Sequence, residues 1–181
     1  MNVKPGTYTV GPSDGTVQVK TGRQGMAAKA GHDLTLEAGN WKAVFTVDDD
    51  PSHSEVRATI EPRSLVVKAA TGGAKPVSEK DKKEIAKNIA GLLGNDSITF
   101  TSTSVDVRDD TVQAAGELSI AGQSRPVNLD LIATPDGRLT GSMTVVQSQF
   151  GIKPFSAMLG ALKVKDEVEI ELDFAVPVES A

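Results

Sequence analysis

Between Val112 and Leu131 the chain alternates apolar and polar residues with a period of two. Val112, Ala114, Gly116, Leu118 and Ile120 fall on one face, with Gln113, Ala115, Glu117 and Ser119 on the other. After a turn at Ala121-Gly122-Gln123-Ser124, Val127, Leu129 and Leu131 alternate with Asn128 and Asp130. Two such runs joined by a glycine-containing turn predict an antiparallel hairpin with one buried face. Pro126 stands near the start of the second run, where a missing N–H is tolerated.

The same alternation recurs along most of the chain. Thr7 to Val10 and Thr16 to Thr21 flank a Gly11-Pro12-Ser13-Asp14-Gly15 turn. Leu34 to Ala38, Trp41 to Asp48, Glu55 to Glu61 and Ser64 to Lys68 follow, with a polar turn over Asp48 to Ser54. Gly22 to Gly31 mixes glycine with small residues and reads as a strand or an irregular segment against the body, a helix being the alternative. Thr71 to Pro76 reads as a loop. The period then changes: Ile85, Ile89, Leu92 and Leu93 form one helical stripe, Ser78 and Asp81 a capping box, and Gly94 a C-terminal cap. This predicts one amphipathic helix over about 78–93. Ser97 to Val107, the organising hairpin, Leu139 to Val146 and Val168 to Phe174 complete the strands. Between the last two, residues 147–164 are apolar without alternation, and a short helical turn is expected over about 155–162. Eight to ten strands with one polar face each fit an antiparallel barrel closed around side chains or one ligand, or a sandwich of two sheets.

With 181 residues, a single domain over 1–181 is expected. The net charge of −5 argues against nucleic acid as a partner and against nonspecific attachment to anionic membranes. The absence of cysteine removes disulfides, thiolate metal sites and a cysteine nucleophile. No apolar run is long enough to span a bilayer, and no signal peptide is visible at the N-terminus, which makes a cytoplasmic protein the expectation.

Three segments in order and spacing resemble the YceI-like family, the bacterial polyisoprenoid-binding proteins. They are Ser97-Ile98-Thr99-Phe100-Thr101-Ser102; Gly116-Glu117-Leu118-Ser119-Ile120-Ala121-Gly122 with Arg125-Pro126-Val127; and Phe150-Gly151-Ile152 followed by Val168-Glu169-Ile170. The G-x-L-x-I-x-G-x-x-R-P-V hairpin is the most specific of these. The resemblance covers nearly the whole chain. It implies an extended, lipocalin-like antiparallel β-barrel with a helix and a long apolar tunnel for an isoprenoid or similar lipid. It also implies that a homodimer is one expected state, that many relatives are exported, and that the processes served are transport and stress response. The chain departs from the family where many relatives carry D-x-x-H-S-x-V near the start: here Ser13-Asp14-Gly15-Thr16-Val17 lacks the histidine.

The candidate ligand-binding residues are His32, Phe45, Phe100, Leu118, Phe150, Ile152, Phe155, Met158 and Leu162, with Arg125 as a headgroup candidate. His32 stands about where relatives carry a histidine near the barrel wall, and reads either as a headgroup contact or as a hydrogen-bonded structural residue. Arg125, shared with relatives, offers a guanidinium to a carboxylate or phosphate, or ties its turn to a neighbouring loop. The apolar run Phe150, Ile152, Phe155, Met158, Leu159 and Leu162 must bury somewhere, as a plug or a tunnel wall. His53 beside Asp48, Asp49 and Asp50 is a solvated turn rather than a metal site, so neither a metal nor a cofactor is expected.

Three functions compete. A lipid carrier or sink for a polyisoprenoid, quinone-like or acyl molecule needs few polar contacts, since burial contributes about 0.8 kcal/mol per methylene. An enzyme on an apolar substrate needs a nucleophile or a poised acid–base pair, and two histidines, no cysteine and no G-x-S-x-G motif leave little to supply one. An interaction module with a filled barrel is the third. The carrier is the expected function, with no catalytic residues.

Overall fold

The computed structural model describes residues 5–50 and 53–176. Pro51 and Ser52 of the expected polar turn, and residues 1–4, lie outside the described residues. The strands are β1 (Gly6–Val10), β2 (Gly15–Gln24), β3 (His32–Ala38), β4 (Trp41–Val47), β5 (Glu55–Ile60), β6 (Leu65–Gly72), β7 (Ile98–Arg108), β8 (Thr111–Ile120), β9 (Gln123–Ala133), β10 (Arg138–Val146), β11 (Ser156–Ala157) and β12 (Leu162–Ala175), and the helix is α1 (Glu79–Leu93).

All pairs are antiparallel. The sheet runs β1-β4-β5-β7-β8-β9-β10-β12-β2-β3-β6, with the short β11 attached to β12. It curls into a half-barrel, and among the described residues no strand pairs with the outer edges of β1 and β6. Twelve strands exceed the expected eight to ten, and the two-residue β11 lies in the segment where no strand was expected. β2 and β6 also run further than the alternation suggested, through Gly22 to Gln24 and to Gly72.

The organising hairpin pairs Ile120 with Gln123, so its turn is only Ala121-Gly122, with φ of 50° and 75°. Two positive-φ residues make the tight turn whose twist suits antiparallel strands. Pro126 lies inside β9 opposite Glu117. It is tolerated because β10 reaches β9 only over Leu131 to Ala133; at Pro126 the far side of β9 bears no ladder. The wedge this leaves between β9 and β12 is occupied by a 3-10 turn, Gln147–Phe150.

Helix α1 begins as its sequence requires. The Ser78 hydroxyl accepts from the Asp81 amide at 3.2 Å, and the Asp81 carboxylate accepts from the Ser78 amide at 2.9 Å. The Ser78 hydroxyl and amide hold the Asp81 carboxyl below the usual aspartate range. A carboxylate with a depressed folded value stabilises above its unfolded value and loses that contribution as pH falls through the folded one. The melting midpoint of Asp81→Ala is therefore expected below wild type at neutral pH. The difference should close once pH drops beneath the ordinary aspartate range, as read by circular dichroism melts at a series of pH values. The helix packs on β6 and on the Pro62–Ser64 turn and has no fully buried residue.

The core gathers where β2, β4 and β12 meet. Phe174, 3% exposed, stacks at 6.0 Å from Trp41 and 5.7 Å from Phe45, both tilted. Gly15 lets β2 close against β12 here. A Cβ on it would stand 2.2 Å from the Asp173 carbonyl oxygen and 2.4 Å from the Phe174 Cα, backbone that cannot yield alone. Gly15→Ala is expected to cost about 1–3 kcal/mol by overpacking, read as a lower urea midpoint.

Candidate ligand-binding site

The concave face of the sheet encloses a cavity of about 460 Å³. Alternation on three neighbouring strands builds one wall: Val17, Val19, Thr21 and Arg23 from β2; His32, Leu34, Leu36 and Ala38 from β3; Val168, Ile170, Leu172 and Phe174 from β12. Ala43 and Phe45 of β4, Val56, Ala58 and Ile60 of β5, Ile98 and Phe100 of β7 and Leu118 and Ile120 of β8 face them. The apolar stripe of α1, Ile85, Ile89, Leu92 and Leu93, lies over the cavity together with Asn88. Among the described residues no carboxylate lines it.

The polar groups concentrate at one end, the mouth, where β2 ends and β3 and β12 begin. Thr21, Arg23, His32, Gln147 and Lys163 meet there, while Lys42 and Asn88 stand apart. Arg23 is held on several sides. Its amide donates to Asp33 Oδ1 at 2.9 Å, its Nε lies 3.7 Å from the same oxygen, and its Nη1 donates to the Gly31 carbonyl. His32 Nε2–H donates to the Lys75 carbonyl at 2.8 Å. The ring lies against Gly73, whose φ of 75° and whose space both exclude a side chain, since a Cβ would stand 2.1 Å from Nε2. His32 thus faces the cavity and at the same time fastens the segment leading into α1.

The mouth is closed on its far side by residues 147–161, pinned by a bulge in β12. There Val164 pairs with Arg23 and Val168 with Thr21, leaving Lys165 to Glu167 opposite Gly22. The bulge presents Asp166 to the Ser148 amide and hydroxyl at 2.8 and 2.5 Å, and the Lys165 carbonyl to Gln147 Nε2 at 2.9 Å. The expected helical turn over 155–162 is shorter: β11 takes Ser156 and Ala157, a 3-10 turn takes Met158–Gly160, and Leu162 opens β12. Pairing of Ala157 with Leu162 claims the backbone groups that a longer helical turn would use.

Of the residues singled out in the sequence, His32, Phe45, Phe100, Leu118, Ile152, Phe155 and Leu162 line the cavity. Phe150 is buried off the cavity, in the wedge between β9 and β12. Met158 points to solvent, and Arg125 is exposed, its Nη1 donating to the adjacent Ser124 carbonyl at 2.6 Å. Burial of the 150–162 run holds for Phe150 and Ile152, is partial for Leu162, and fails for Phe155, Met158 and Leu159. His53 is exposed, its Nδ1 4.0 Å from Asp48 Oδ1. Sequence reasoning missed Arg23, although continuing the period of Val17, Val19 and Thr21 would have placed it inward. It also missed Trp41 and the helix stripe as cavity wall.

A family model for the YceI-like domain matches residues 8–176. The chain belongs to the YceI-like family. Solved structures share the fold at low identity. BcnA of Burkholderia cenocepacia is 15% identical over 90% of this chain and 96% of its own, with a TM-score of 0.61. The YceI protein of Campylobacter jejuni is 15% identical over 82% of this chain and 86% of its own, with a TM-score of 0.53, and a mutant of it holds monobromobimane as a guest. No curated protein matches this YceI-like chain. No helix among its described residues is long and apolar enough to cross a membrane.

Proposed function

We propose that this YceI-like chain binds one apolar, lipid-like molecule in the half-barrel, with its tail among the β4, β5, β7 and β12 side chains and its polar end at the Arg23–His32 mouth. The observation that carries this is the cavity itself: about 460 Å³, apolar through its depth, with most of its polar groups at one end. That volume lies within the range of small-molecule pockets. Its wall offers adaptable aliphatic and aromatic surface, which suits a polyisoprenoid, a quinone-like tail or a long acyl chain; the family resemblance favours the first. Binding rather than catalysis is also supported by the wall's chemistry. A single histidine and no carboxylate among the described lining residues leave no acid–base pair to work on a buried substrate.

Native mass spectrometry of the purified chain, followed by denaturation and organic extraction, tests this. A stoichiometric lipid released on denaturation is the expected result, and its mass names the class. No co-purifying lipid together with no uptake of added farnesol or palmitate would overturn the reading and favour a filled barrel that serves as an interaction module.

A further inference from the structure

Four of the eight most exposed large apolar side chains among the described residues lie in two segments beside the cavity mouth. Leu159 and Met26 are almost entirely in solvent, at 109% and 96%, and Met158 and Phe155 are at 61% and 50%. The other four, Val66, Leu92, Val107 and Ile132, are scattered over β6, α1, β7 and β9. Scattered apolar residues are ordinary on a surface, whereas a cluster marks an interaction site.

The two segments are fastened to each other. The Ala27 amide donates to the Ala161 carbonyl at 2.9 Å, and Gly25 approaches so closely that a Cβ on it would stand 2.3 Å from that oxygen. Met158 and Leu159 both take positive φ, 52° and 54°, a backbone conformation that bulky residues rarely adopt. The fold therefore holds two large apolar side chains outward in a conformation from which neither gains burial.

The charge within these two segments has one sign. Residues 22–31 and 151–165 contain Arg23, Lys29, Lys153, Lys163 and Lys165 and no carboxylate, in a chain whose acidic residues outnumber its basic ones by 24 to 19. Lys29, Lys153, Lys163 and Lys165 are exposed, and none makes an ion pair among the described residues. Apolar tips on segments whose exposed lysines make no ion pair match the boundary between acyl chains and anionic headgroups, the tips entering and the ammonium groups meeting phosphate. The patch is also continuous with the cavity, since Phe155 and Lys163 belong to both.

The geometry points to a membrane-docking surface: Met26, Phe155, Met158 and Leu159, with the lysines of their segments, seat the cavity mouth on a bilayer that carries anionic lipid. This local attachment runs against what the overall charge of −5 implies, and it does not depend on the cavity being occupied.

Co-sedimentation of the full chain with phosphatidylcholine vesicles, and with vesicles containing about a third phosphatidylglycerol, tests it. The expected result is at least tenfold stronger partitioning onto the anionic vesicles, lost in high salt. A Met26→Ser/Leu159→Ser variant and a Lys29→Glu/Lys153→Glu variant should each lose tenfold or more, while Ile132→Ser retains binding. All the substituted side chains are exposed, so matching melting curves confirm that the variants are folded. Absence of vesicle binding, or binding that neither double variant reduces, overturns the assignment. A concentration-dependent dimer that Met26→Ser/Leu159→Ser dissolves, without vesicle binding, also overturns it and gives the patch to a second copy of the chain.

Discussion

Phe174→Ala is expected to lower stability by about 3–5 kcal/mol. Phe174 is 3% exposed and is the ring on which Trp41 and Phe45 both stack, so it ties β12 to β4 across the barrel. Its removal also opens space directly onto the existing cavity, which the surroundings cannot collapse to fill. Domains are stable by only about 5–15 kcal/mol in total, so this loss consumes about a fifth or more of that margin. For a chain of this length it corresponds to a melting midpoint lower by about 6–20 °C. Phe155→Ala provides the comparison. That ring is half in solvent, and its truncation should change stability by less than about 1 kcal/mol. Scanning calorimetry of the two variants checks both values, and equal losses would contradict the assignment of Phe174 as the anchor.

Ala58→Trp is expected to abolish uptake of a long-chain ligand while leaving the fold intact. Ala58 lies on the inward face of β5, in register between Ala43 of β4 and Phe100 of β7, and borders the cavity. An indole placed there projects into void rather than into packed atoms, so the usual cost of overpacking is softened. It would displace ligand instead. Losing room for even four methylenes removes about 3 kcal/mol, more than a hundredfold in Kd. Titration with a fluorescent fatty acid measures the affinity, and a melt of the same sample reports the fold. Unchanged affinity in a folded variant would place the ligand outside the half-barrel.

What the sequence made legible is what depends on local pattern. The hairpin at Ala121-Gly122, the inward faces of β4, β5, β7 and β8, and the capped helix all follow from period and from residues within a few positions of each other. The long segment before β12 does not. Its shape is dictated by the bulge at Lys165 to Glu167 and by residues 25–27, partners distant in the chain whose placement no alternation announces. Arg23 was hidden for a related reason, because Gly22 resembles a strand end and the strand in fact continues past it to pair with Val164. Met158 and Leu159 show the limit of hydrophobicity as a guide, since an apolar residue is permitted at the surface and nothing in its identity says which side it takes. The site divides in the same way: the strand-borne wall could be read from alternation, the mouth could not.

The ladder between β2 and β12, from Gly15 opposite Phe174 to Gln24 opposite Lys163, joins residues from opposite ends of the described chain. Such a pairing has high contact order, and folds dominated by non-local strand pairs assemble in milliseconds to seconds rather than microseconds. It also imposes an order during synthesis on the ribosome. β3 reaches β2 early, but the other edge of β2 stays bare until β12 emerges, and until then the strands that will form the cavity wall cannot enclose anything. A ligand held against β12 as proposed therefore meets its complete site only once β12 has been made.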